Sequence, residues 1–328
     1  MGCKMKNHLK KYWFFIGLAV IILCAFKFPQ AGTKIKEWNL LKIAIFIAFL
    51  ITGLMLETKT IISEIKNFKG LSTALLSTFV LFPVITFLLT KLFFRDNADF
   101  VVGAYILAVA PVTIASGTVM TAVAKGNVPL SLFICVAANF LAIFTIPLSL
   151  NLLIQFEQQI DLPVLAMIKS LALIVLLPIV IGQLLRPKLI NLIKSCRKAF
   201  SIFSQLIVLL IIFNACAASS QRISRLGPII FSVLIFAIIL HALILLLNLI
   251  LAKSIALNLP STAAFTIHTS QKTLTVSYVV WSTYFTAFPQ AMLPTILYHL
   301  VQMIADTFVA HRFKTLAERP PSPPQKNQ

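Results

Sequence analysis

Apolar residues fall in blocks of roughly 17–25, each long enough to cross a hydrocarbon core of ~30 Å as a helix. Ten such blocks fit, over about 12–28, 40–56, 71–91, 100–124, 128–153, 165–185, 200–218, 228–251, 260–284 and 288–311. The connections are short, so nearly the whole chain is spent on crossing a bilayer. The pattern predicts an all-α polytopic membrane protein with one membrane unit over 1–312 and a Pro-rich, disordered cytoplasmic tail over 313–328. The first block follows lysines as a signal peptide would, but no small-residue cleavage site follows it, and Leu23 before Cys24 spoils a lipoprotein-type site. It reads as a retained first span.

The second regularity concerns the halves. Spans 1 and 6 begin about 153 residues apart and spans 5 and 10 end about 157 apart. Two five-span units, about 12–154 and 165–311, must face opposite ways, because an odd number of crossings inverts the second. That is the footprint of an inverted-repeat transporter.

Composition sharpens this. The chain has 328 residues, 59% hydrophobic and 11% charged, with a mean hydropathy of +0.96. A soluble domain carries about 25% charged residues, which excludes a soluble enzyme, a disordered chain or a solenoid. The formal charge of +19 would suggest nucleic acid in a soluble protein. Here the cations sit in short loops, where they fix topology. With the N-terminus inside, Lys and Arg divide eighteen inside to nine outside. Both termini are therefore expected in the cytoplasm, in a bacterial inner membrane or a plasma membrane. The five cysteines show no metal or disulfide spacing.

Candidate chemistry gathers where the fourth span of each half is defective. Span 4 reads AVAPVTIASGTVMTAVAKGN (108–127), with Pro111 kinking the helix and Gly117 between Ser116 and Thr118. Span 9 reads LPSTAAFTIHTSQKTLTV (259–276), where Thr266, His268, Thr269, Ser270, Gln271, Lys272 and Thr273 are polar around the whole circumference. Such backbone survives at membrane depth only when buried in protein or lining a wet cavity. Two broken spans at matching positions can bring half-helix ends together near the midplane, where N-terminal ends attract anions and freed carbonyls suit a small cation.

Lys272 is the most informative residue, since a lysine at the bilayer centre costs at least ~3 kcal/mol. Either it snorkels to the interface, or it is a fixed cation holding an anionic solute, a stand-in for a transported cation, or a titrating group. Thr295, His299, Gln302 and Asp306 share one face of span 10. His299 and Gln302 are read as cavity-lining, and Asp306 as pairing with Arg312 or capping a neighbour. His241 reads as a packed histidine, Asn139 and Asn214 as interhelical glue, and Glu57, Lys59, Glu64 and Lys66 as an interfacial helix.

FLITGLMLETKTI (49–61), STFVLFP (77–83), ASGTVMTAVAKGNVPLSL (115–132), LLPIVIGQLLRP (176–187), TSQKTLTV (269–276) and LPTILYH (293–299) resemble the bile acid:sodium symporter superfamily. The nearest likeness is to bacterial transporters related to the vertebrate solute-carrier-10 member of unassigned substrate. The resemblance implies a panel of spans 1, 2, 6 and 7 and a core of spans 3–5 and 8–10. Spans 4 and 9 would cross where they unwind, with substrate between the two domains. It also implies two sodium ions behind the crossing, held through spans 3, 4, 5 and 9. Carried onto this chain, that set becomes Thr78, Thr118, Ser131 and Thr266, with Cys135 in place of a threonine. The carboxylate of the set is replaced by Thr266 while Lys272 has appeared nearby, so the fold carries over and the double-sodium coupling does not.

The expectation is a secondary transporter of an organic, anionic solute, coupled to Na⁺ or H⁺. The crossing site would be Ser116, Gly117, Thr118, Thr269, Ser270, Gln271 and Lys272, with His299 and Gln302 lining the cavity. No organic cofactor, nucleic acid or obligate protein partner is implied. A membrane hydrolase using His268, His299 and Asp306 lacks any HExxH or GxSxG motif. The alternative is a non-transporting regulator or sensor that keeps the fold.

Overall fold

The computed structural model describes residues 2–38, 40–57, 64, 68–113, 115–158, 162–223 and 227–318. All regular structure among the described residues is helical: α1 Gly2–Lys27, α2 Pro29–Glu37, α3 Leu40–Met55, α4 Phe68–Leu76, α5 Phe82–Phe93, α6 Ala98–Val109, α7 Ala115–Val123, α8 Val128–Gln158, α9 Val164–Leu171, α10 Leu177–Ile223, α11 Ile229–Ser254, α12 Leu259–Ser270, α13 Leu274–Tyr284 and α14 Met292–Ala317. Asparagines open three of the later segments: Asn97, Asn127 and Asn258 accept from Phe100, Leu130 and Ser261 N–H at 3.1, 3.0 and 3.0 Å.

Six helical stretches are long and apolar enough to cross a membrane, and Ile16–Lys27, Leu40–Met55 and Ala98–Val109 are shorter apolar helices. Leu23, Leu92, Leu184, Phe231 and Phe308 are exposed. In water such side chains would form adhesive patches, whereas lipid solvates them. The chain is an integral membrane protein.

Several boundaries differ from the sequence reading. Spans 6 and 7, expected to flank an inner segment at 186–198, share one helical assignment, α10, that runs through Pro187, while Val164–Cys196 and Lys198–Ala217 remain separate stretches long and apolar enough to cross. Leu, Ile, Lys and Arg, all good or neutral helix formers, make up nine of the thirteen residues of that segment, so charge alone does not interrupt the helix. Residues 313–317, expected in the tail, continue α14. The remainder of the tail, and most of the expected interfacial helix around Glu57–Lys66, lie outside the described residues.

α4 and α5 are joined by a π-helical turn, Ser77–Leu81, and α9 and α10 by another, Ala172–Leu176. Each precedes a proline by one intervening residue, Pro83 and Pro178. In the first turn Phe82 N–H donates to Ser77 O, five residues back. The next bond in that register would run from residue 83 to Thr78 O, but proline has no N–H. The Thr78 carbonyl is left free inside the protein.

α10 lies along α1, α2 and α3, while α11, α12 and α14 pack on one another and α6 packs on α5, α8 and α14. Contact between α3 and α10 is close because Gly53 and Gly182 face each other's helix: a Cβ on either would lie 2.2 Å from Ile179 O or 2.3 Å from Leu50 O. Gln183 caps the same helix end, donating to Leu56 O at 2.8 Å and to Gly53 O.

Candidate substrate and ion site

Two interruptions meet in the interior. α6 stops at Val109 and α7 resumes at Ala115; α12 stops at Ser270 and α13 resumes at Leu274. They are joined directly, Thr273 N–H donating to Pro111 O at 2.9 Å. An interrupted helix orphans its last carbonyls, and at the first break five of them are met one by one. Ala108 O and Ala110 O each accept from Lys272 Nζ at 2.8 Å. Pro111 O accepts from Thr273, and Val112 O from the Asn139 amide at 3.2 Å. Thr113 O lies 2.8 Å from His268 Nε2.

The third proton of the Lys272 ammonium goes to Thr78 O at 2.9 Å, the carbonyl freed by Pro83. Nζ also lies 4.2 Å from the centre of the Phe82 ring. Lys272 is 1% exposed, and three carbonyls use all its donors. It ties the π turn, the α6 break and the α12 break to one charge. A cation at a helix C-terminus is also favoured by the helix dipole. Its own backbone is bracketed by Gln302, which accepts from Lys272 N–H at 2.9 Å and donates to Lys272 O at 3.1 Å. Gln302 donates again to His299 Nδ1 at 2.9 Å, so His299 supports the bracket.

The other expected crossing residues separate into two groups. Gln271 Oε1 accepts from Ser116 at 2.9 Å and from Thr113, drawing the two breaks together. Gly117 is a glycine because a Cβ there would lie 2.9 Å from the His268 ring. Thr118 is half-buried on the same helix. Thr269 and Ser270 turn back on their own helix, bonding Phe265 O and Thr266 O, both at 2.6 Å. Ser270 Oγ also accepts from Asn248 at 3.1 Å.

Of the positions carried over as ion ligands, Ser131 is hydrogen-bonded to His268 Nδ1. Thr78 contributes its carbonyl to Lys272, while the Thr78 and Thr266 hydroxyls are buried with no protein partner. The imidazole of His268 thus occupies the space between Ser131 and the Thr113 carbonyl.

Sequence reasoning missed the partnership of Asp306 and His241. Asp306 does not pair with Arg312. It is fully buried, with Oδ1 3.2 Å from His241 Nε2 and Oδ2 accepting from Gln271 Nε2 at 2.6 Å. The signal was present as two ionisable residues inside apolar helices, but their meeting is tertiary. The void beside Pro111, reaching Asn139, Leu171, Val175 and Val276, measures about 10 Å³, at most room for one water.

The family model of the SBF-like CPA transporter family matches residues 12–315. The chain belongs to that family. Family membership places it in the bile acid:sodium symporter superfamily, among transporters rather than enzymes. A zebrafish protein named "Sodium/bile acid cotransporter 7" is 24% identical over 320 residues, covering 94% of this chain and 95% of its own length. An Arabidopsis thaliana protein named "Probable sodium/metabolite cotransporter BASS4, chloroplastic" is 26% identical over 317 residues, covering 90% of this chain and 72% of its own. A rice protein of the same name is 27% identical over 224 residues, 67% of this chain and 53% of its own. The chain spans about half the length of that rice relative.

Proposed function

We propose that this SBF-like protein is a secondary transporter of an organic anion, working by alternating access. Its ten spans form two inverted repeats with both termini cytoplasmic. A panel of α1–α3, α9 and α10 rocks against a core of the remaining helices, and solute binds between them where α6/α7 and α12/α13 cross. The observation that carries this reading is the direct bond between the two interrupted segments, with a buried ammonium at the junction. Interrupted helices with a fixed charge cost stability in a structural protein, and they suit a site that must bind and release a charged solute. Ser116, Gly117, Thr118, Gln271 and Lys272 form the seam. Thr269, Ser270, His299 and Gln302 hold it from behind.

The N-terminal ends of α7 and α13 carry partial positive charge into the crossing, which favours an anion. The relatives named as sodium cotransporters support an ion gradient as the driving force. The test is solid-supported-membrane electrophysiology of the purified protein, with a panel of organic acids in Na⁺ or choline buffers at two pH values. A solute-dependent current is expected. Specific solute binding in detergent without flux in sealed vesicles would instead establish a sensor that kept the fold.

A further inference from the structure

We propose that His241 and Asp306 form the proton-binding site of this carrier, loading and releasing one proton as a unit; this rests on the transporter reading above. A buried chain of hydrogen bonds fixes where each proton lies. Tyr298 has one hydroxyl proton, and its oxygen lies 2.6 Å from the backbone carbonyl of Ser270. A carbonyl cannot donate, so the tyrosine proton points there. Tyr298 Oη also lies 3.0 Å from His241 Nδ1. With its proton committed, the phenol oxygen can only accept, and Nδ1 must carry the hydrogen.

The opposite nitrogen, Nε2, faces Asp306 Oδ1 at 3.2 Å. A neutral imidazole protonated at Nδ1 offers a lone pair at Nε2, and a carboxylate offers another. Two lone pairs at that separation in a site 1% and 0% exposed repel without relief from water. One further proton therefore sits between them, on the imidazole as an ion pair or on the acid as a neutral pair. In either placement the dyad has no net charge; without that proton it has a charge of −1. Gaining or losing that proton makes and breaks no bond except to hydrogen.

The dyad is wired to the crossing. Asp306 Oδ2 accepts from Gln271 Nε2, and Gln271 Oε1 accepts from Ser116 and Thr113 across the other break. Ser116 is half-buried, the first member of the chain with access to the seam. Where the acid carries the proton, its loss ionises Asp306 and tightens its grip on Gln271, because hydrogen bonds to an ionised acceptor are roughly twice as strong; where the imidazole carries it, its loss removes the cation that shares the carboxylate with Gln271. Proton occupancy thereby changes how firmly the α12 break is held to α14.

Other ionisable groups on the packed elements face elsewhere. On α12, His268 is taken by Ser131 and Thr113 O, and the Lys272 ammonium after it by three carbonyls. On α14, His299 is taken by Gln302. On α13, Tyr278 donates to Asn214; on α6, Asp99 accepts from Gln290 N–H, and Tyr105 lines a surface cavity with Lys91 of α5 and Arg95. Only Tyr298 among them touches the dyad.

The proton itself is the probe. Full-length protein in proteoliposomes on a solid-supported membrane is stepped between about pH 5 and pH 8 with no organic solute present. Wild type is expected to give a transient charge displacement, which Asp306→Asn and His241→Gln both lose. The asparagine amide can donate to Nε2 in place of the shared proton, so Asp306→Asn preserves the bonds while removing the acid that shares it. A displacement of wild-type size in either folded variant overturns the proposal. Absence of any displacement in wild type overturns it without recourse to variants. If the displacement follows the dyad but no organic acid is ever transported, the carrier reading fails and the proton site stands; uptake with unchanged pH dependence in Asp306→Asn removes the proton site alone.

Discussion

Replacing Lys272 by methionine keeps an unbranched apolar chain of similar length and removes the charge with its three donors. Insertion should not suffer, since methionine is cheaper in lipid than lysine. Folding should. Three buried carbonyls, Thr78, Ala108 and Ala110, lose their partner. Each orphan costs roughly 1–3 kcal/mol, bracketing the loss at about 3–9 kcal/mol. The variant no longer buries an ammonium, a relief of several kcal/mol, which moves the net toward about 3 kcal/mol. A fluorescence melt in detergent should show the midpoint falling by roughly 5–10 °C. Uptake in proteoliposomes should be lost or altered, because the seam loses what ties its two breaks together. Lys272→Met protein that melts within a degree of wild type and transports at the same rate would refute the reasoning. It would mean that the carbonyls find water or one another at little cost.

Gly117→Ala forces a methyl against His268, which Ser131 and the Thr113 carbonyl hold in place, so transport should fall at least tenfold with insertion unchanged; uptake per inserted molecule measures it. Gly103→Ala sets a Cβ 2.1 Å from Ala291 O and should cost about 1–3 kcal/mol, read as a lower melting midpoint. Lys125 and Glu318 form an exposed ion pair at 2.8 Å, and the hydrogen bond from Lys125 holds the Glu318 carboxyl below its usual range. A depressed carboxylate stabilises above its unfolded pKa and loses that contribution as pH falls through the folded value. Water screens so exposed a pair, so Glu318→Gln should melt as wild type does at neutral pH, by the same fluorescence assay.

Much of the site could be read from the chain because polarity inside an apolar block is hard to hide. Pro111 and the run from Thr266 to Thr273 marked both interruptions, and Lys272 stood out as a charge lipid would reject. Gln302 and His299 stood out on a polar helix face as cavity-lining, but the structure buries them and uses Gln302 to bracket the Lys272 backbone. What could not be read was partnership. The acceptors of Lys272 are backbone carbonyls, which every residue possesses, so no side-chain pattern announces them. His241 and Asp306 lie on different helices, and only packing brings them within reach. The helical run across 186–198 was missed because its charges look like a loop, although their helix propensities do not.

The π turn before Pro83 ties residue 83 to residue 272. The carbonyl that Thr78 offers is free only because residue 83 has no hydrogen to give, and the amine at 272 is what makes that vacancy tolerable. Mutational drift at either position alone would expose a defect that the other was compensating. The two should therefore travel as a pair through the history of the family, arising and disappearing together although they sit in opposite halves of the chain.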